Sequence, residues 1–138
     1  MDKSITHIKT KAFAVRIIRF YKYLSEVKHE HVLAKQILRS GTSIGANVRE
    51  SYSAQSRADF INKLYIALKE ADETLYWLEI FLESEIITQS EFDTLYTDLK
   101  EICSLLASSI KTTKNKLLPV HFTKVRRICT LYSVICTL

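Results

Sequence analysis

Ser56-Arg57-Ala58-Asp59-Phe60, continued by Leu64, Ala67, Ala71, Leu75, Leu78 and Leu82, is the stretch whose reading decides the fold. Its first four residues read as a capping box, in which the Ser56 hydroxyl accepts from an amide of the first turn and the fourth residue reaches back. Aspartate stands there in place of the longer glutamate that is usual. The apolar residues then recur at spacings of three and four, the mark of one face of a long helix. A second capping box, Thr88-Gln89-Ser90-Glu91, opens another helix with the stripe Phe92, Leu95, Leu99, Ile102 and Leu106, fading near Lys111.

The same spacing extends toward the N-terminus. Phe13, Ile17, Phe20, Leu24 and Val27 predict a helix from about Thr6 to Val27, ended by Lys28-His29-Glu30-His31. Leu33, Ile37, Ile44 and Val48 predict the next, from about His31 to Ser53. Gly41 and Gly45 fall inside it, each costing about 1 kcal/mol relative to Ala. They share a face, so they allow either a close approach of another backbone or a kink. Four amphipathic helices with short connections predict an all-α, up-down-up-down antiparallel four-helix bundle. It should occupy 1–116, with 117–138 a basic tail that begins at the breaker Leu117-Leu118-Pro119.

Composition supports this. Only two glycines and one proline occur in 138 residues, too few for the tight turns of an all-β chain. The N-terminus does not read as a secretory signal, and no apolar run approaches the ~20 residues that span a bilayer. Cys103, Cys129 and Cys136 are odd in number and lack metal-type spacing, as reduced thiols of a cytoplasmic protein would.

Charge is divided along the chain. Residues 1–69 hold 13 Lys/Arg against 5 Asp/Glu, residues 70–110 hold 1 against 10, and residues 111–138 hold 6 against none. Sign-separated surfaces point to an anionic partner or to self-complementary association. Lys11, Arg19 and Lys22 on the first helix, and Lys35, Arg39 and Arg49 on the second, lie opposite the core stripes, where two ladders could track a phosphate backbone. An ordinary solvated face and a head-to-tail contact with the acidic helices of a second copy are the competing readings. On a helical wheel, Tyr65, Ile66, Tyr76, Trp77 and Ile80 lie on or beside the outer side of the third helix, and Val15 and Ile18 opposite the core of the first. These residue types are enriched at interfaces, so a homo-oligomer is expected.

No catalytic constellation stands out, and no enzyme, metal, cofactor, membrane or small-molecule substrate is expected. The one Glu-x-x-His, Glu26 to His29, lacks the second copy that a di-metal bundle needs. Gly41-x-x-x-Gly45 lacks the Lys-Ser/Thr of a phosphate loop.

Leu38-Arg39-Ser40-Gly41-Thr42-Ser43-Ile44-Gly45-Ala46-Asn47-Val48-Arg49-Glu50, with Ala67-Leu68-Lys69-Glu70-Ala71 and Tyr76-Trp77-Leu78-Glu79 downstream, resembles the four-helix bundle family of the 23S rRNA intervening-sequence protein. Its Ser-Ile-x-x-Asn-x-x-Glu core is matched by Ser43, Ile44, Asn47 and Glu50. The resemblance covers roughly 10–116 and implies an up-down bundle that associates as a pentameric ring. Related accessory proteins of diversity-generating retroelements bind nucleic acid and a reverse transcriptase through basic surfaces, which implies RNA or DNA as a partner by analogy. It brings no settled activity. It also suggests that Asn47 and Glu50 make polar contacts with a neighbouring helix. Some relatives carry Pro at the position of Gly45 and Gly at that of Ser51; the tail has no counterpart.

Overall fold

Among the described residues, three helices begin where a side chain takes up free amides. In the computed structural model, which describes residues 4–116, α1 spans Ile5–Glu26, α2 Val32–Ser51, α3 Arg57–Glu83 and α4 Gln89–Asn115. The tail expected over 117–138 lies outside the described residues, as do Cys129 and Cys136. Ser56 accepts from the Asp59 amide at 3.1 Å, and Asp59 reaches back to the Gln55 amide at 3.2 Å, one residue beyond the usual target. At α4 the box closes in both directions: Thr88 Oγ1 accepts from the Glu91 amide and Glu91 Oε2 from the Thr88 amide at 2.7 Å. The start of α2 uses a device the sequence reading passed over. Glu30, assigned only to a polar break, accepts from the amides of both Val32 and Leu33, at 2.8 and 2.7 Å.

The turns carry no glycine, so ordinary residues take the left-handed conformation there. Glu85 has φ 57° and His29 φ 58°. At the end of α3 the Ile86 amide reaches the Phe81 carbonyl at 2.9 Å and the Glu85 amide that of Leu82 at 3.0 Å, the paired bonds of a Schellman motif. Phe81 and Ile86 both join the core, which seals the turn.

Short connections make successive helices antiparallel, and the packing runs α1–α2, α2–α3, α3–α4 and back from α4 to α1. No strand occurs among the described residues. The core is built from Phe13, Ile17 and Leu24 of α1, Ile37, Ile44 and Val48 of α2, Leu64, Leu78 and Phe81 of α3, and Leu99, Ile102 and Leu106 of α4. Several expected core positions differ. Val27 is exposed beyond the end of α1, because the helix stops at Glu26. On α3 the seam buries Ile61, Thr74 and Phe81, while Phe60, Leu75 and Leu82 are only partly covered. A period nearer 3.5 keeps a seam facing its neighbours along a supercoiled pair, and the straight-helix reading drifts off it. Thr74 is polar and so was invisible to a hydrophobic count; its hydroxyl meets Ser40 Oγ of α2 at 3.0 Å and the Glu70 carbonyl at 2.7 Å.

Of the two readings left open for Gly41 and Gly45, close approach is the one the packing shows. A methyl group at Gly41 would lie 2.8 Å from Cγ1 and 2.9 Å from Cγ2 of Ile17, and one at Gly45 would lie 3.2 Å from the Thr10 carbonyl oxygen. Helix α1 therefore runs directly over the glycine face of α2, with Thr10 opposite Gly45 and Ile17 opposite Gly41.

Gly41→Ala tests this contact. In an open helix it would add about 1 kcal/mol, but here it pushes against the branch of a buried β-branched residue, where overpacking costs about 1–3 kcal/mol. A net loss of about 1 kcal/mol is expected in urea unfolding; a midpoint at or above that of the parent protein contradicts the tight contact.

The α4 cap gives a pH test. The bond from the Thr88 amide, assisted by the Tyr23 hydroxyl, holds the Glu91 carboxyl below its usual range. A depressed folded-state value contributes stability above the unfolded carboxylate's value of about 4.3, and loses it as pH falls through the lower folded value. Glu91→Gln should melt below the parent protein at neutral pH, with a gap that narrows below about pH 4. A constant gap across that range contradicts the assignment.

Candidate nucleic-acid interface

Helix α1 carries Lys9, Lys11, Arg16, Arg19 and Lys22, and its only acid is the terminal Glu26. The face turned to α4 spends two of these cations. Lys9 pairs with Glu101 at 2.8 Å, and Arg16 pairs with Asp98. Among the described residues, Lys11, Arg19, Lys22, Lys35 and Arg49 make no such ion pair, whereas Arg39 is tied to Glu73 of α3. Glu73 also accepts from the Trp77 indole at 3.3 Å. Arg39 is thus the member of the expected basic ladders whose charge is already met inside the chain.

The remaining five do not form one continuous track. Arg19 borders a shallow groove of about 260 Å³ between α1 and α4, beside Arg16, Tyr23 and Glu91. Lys22 and Lys35 are exposed. Lys11 and Arg49 are brought together across the α1–α2 seam, in a groove of about 300 Å³ also lined by Ala14, Gly45 and Ala46. The antiparallel register does this, since the contact of Thr10 with Gly45 sets Lys11 beside the small residues and His7 toward Arg49. His7 lies near the N-terminus, where the sequence alone offers it no obvious partner. It is only 8% exposed, lines this groove, and meets Tyr52 edge-on at 5.9 Å. Its place on the same helical face as Lys11 and Ala14 was the readable signal.

Four residues expected at an oligomer interface on α3 are half-buried, and only Tyr76 is exposed. Tyr65 turns toward α4, where its hydroxyl accepts from Lys114 at 2.6 Å; Trp77 packs on the core, and Ile66 and Ile80 are half-buried on the same helix. On α1, Val15 and Ile18 are exposed as expected, and the sequence reading missed that Ile5 and Ile8 extend the same outer face. In the family motif, Ile44 is core, Ser43 donates to the Arg39 carbonyl at 2.7 Å, and Asn47 donates to the Ser43 carbonyl at 2.9 Å. Both polar bonds stay within α2. Glu50 alone crosses to a neighbouring helix, accepting from Lys63 at 2.6 Å, which holds the Lys63 amine above its usual pKa.

No group of three or more His, Cys, Asp or Glu able to hold a metal occurs among the described residues. None of their helices is long and apolar enough to cross a membrane.

Residues 3–108 match the model of the 23S rRNA-intervening sequence protein family. A crystal structure of a protein of unknown function, from the S23 ribosomal protein family of Bacteroides thetaiotaomicron, is 56% identical, with a TM-score of 0.76, over 78% of this chain and 99% of that one. No curated protein matches the chain.

Proposed function

Because the chain belongs to the 23S rRNA-intervening sequence protein family, we propose that it is a non-catalytic, ring-forming oligomeric scaffold that binds structured RNA or DNA through the outer surface of α1 and α2. The observation that carries this reading is the set of five cations on that surface left without an ion-pair partner among the described residues, while Glu101, Asp98 and Glu73 are paired with Lys9, Arg16 and Arg39. Unpaired cations can displace counterions from a phosphate backbone, which is where most of such an affinity comes from. The exposed apolar row Ile5, Ile8, Val15 and Ile18 supports self-association through α1. It also favours a second reading, in which the surface serves assembly alone.

Charge reversal separates the two. With Lys11→Glu, Lys35→Glu and Arg49→Glu combined, RNA affinity should fall by about tenfold or more and lose salt dependence, while light scattering reports an unchanged subunit number. Arg39→Gln should change affinity less than Arg49→Gln does, because Glu73 already holds Arg39. Dissociation of the oligomer by the triple reversal, with no RNA bound by the parent protein at physiological salt, favours the assembly reading instead.

A further inference from the structure

The α1–α2 groove is more specialised than a basic face needs to be. A duplex backbone lies across a surface and requires only cations that reach outward. Here the small side chains of Ala14, Thr42, Gly45 and Ala46 leave a groove between the helices, and three side chains able to donate to an oxyanion line it with them: His7, Lys11 and Arg49. Lys11 and Arg49 have no ion-pair partner among the described residues, and the acid next to Arg49 in sequence, Glu50, is engaged by Lys63. The third observation is independent of charge. His7 is more than nine-tenths buried, and its Nδ1 has no hydrogen-bond partner. A buried, unsatisfied ring nitrogen is costly unless something else satisfies it.

We infer that this groove seats a phosphate monoester at the end of a polynucleotide strand, with Lys11 and Arg49 meeting its charge and the buried His7 ring turning to bring Nδ1 to one of its oxygens. The strand-end assignment rests on the nucleic-acid reading above; the phosphate chemistry follows from the groove. A monoester carries about −1.5 to −2 at pH 7, against one charge for a phosphate within the strand. Two cations facing one recess match the former. A recess between two helices also admits a group that projects from a chain end more readily than one fixed within a duplex. Its shape depends on the close approach of α1 to Gly45, since a larger residue there would fill it.

The test compares two RNA oligonucleotides of one sequence, one with a 5′-phosphate and one with a 5′-hydroxyl, by fluorescence anisotropy on the full chain. The phosphorylated strand should bind about tenfold tighter or more, and Lys11→Gln or Arg49→Gln should abolish that preference without loss of fold by circular dichroism. Lys111→Gln, on α4, should retain it. In the parent protein the His7 imidazole resonances should move on adding the phosphorylated strand and not its hydroxyl counterpart. Equal affinity for the two strands overturns the seat while leaving nucleic-acid binding intact. Absence of binding by both overturns the broader reading. Movement of the His7 signals by inorganic phosphate, but not by the phosphorylated strand, overturns the strand end as occupant.

Discussion

Helix α1 lies on α2 over two residues that have no side chain, and most of what distinguishes this bundle follows from that contact. With Cβ atoms at 41 and 45, Ile17 and the Thr10 carbonyl could not sit where they do. Two glycines in a helix interior together cost about 2 kcal/mol in propensity. Burial of Ile17 against α2, at about 1.5–3 kcal/mol for a side chain of this size, is of the right order to offset it. The approach fixes the register between the two helices. That register decides which side chains on their outer edges become neighbours, Lys11 and Arg49 among them.

Held by shape to α2, α1 meets α4 differently. Its packing there is the sparsest of the four seams, and Lys9–Glu101 and Arg16–Asp98 bridge it at the surface. Exposed pairs of this kind contribute about 0–1 kcal/mol each, so they align the seam more than they hold it. Their larger effect is on the charge map. Three of the four ion pairs among the described residues join a cation of α1 or α2 to an acid of α3 or α4, so the sign separation seen along the sequence is partly cancelled in the fold. What survives cancellation is the outward surface of α1 and α2. The polyanion reading therefore rests on residues selected by the tertiary structure, not on the composition of the first half.

The helices were legible because their ends are written locally. Ser56, Thr88 and Glu91 each accept from an amide three residues away, as the spacing indicates. Seam positions were less legible where the interaction is between helices. Thr74 is buried because Ser40 is across from it, a pairing that no periodicity within α3 reveals. Glu30 caps α2 from one residue before the expected position, so a motif search for Ser, Thr, Asp or Asn passes over it. On the surface, Arg39 and Arg49 look alike in sequence. Only the position of Glu73 on the adjacent helix makes one of them satisfied and the other not.

Cationic and apolar residues share the outer side of α1, which limits how the protein can use it. Ile8, Lys11, Val15, Ile18 and Lys22 follow one another at helical spacings of three and four, with Arg19 beside them, so a neighbouring subunit packed on the apolar row would cover these three cations as well. Arg49 stands to one side, on α2, in a groove lined by residues of a single chain. Self-association through α1 would thus compete with a polyanion for Lys11, Arg19 and Lys22 while leaving Arg49 of α2 in reach. In an oligomer built this way, the basic surface contracts to one recessed position per subunit, repeated by the symmetry of the assembly. Binding to a long polyanion would then gain from several such positions at once, and its strength would depend on subunit number more than on the charge of any one chain.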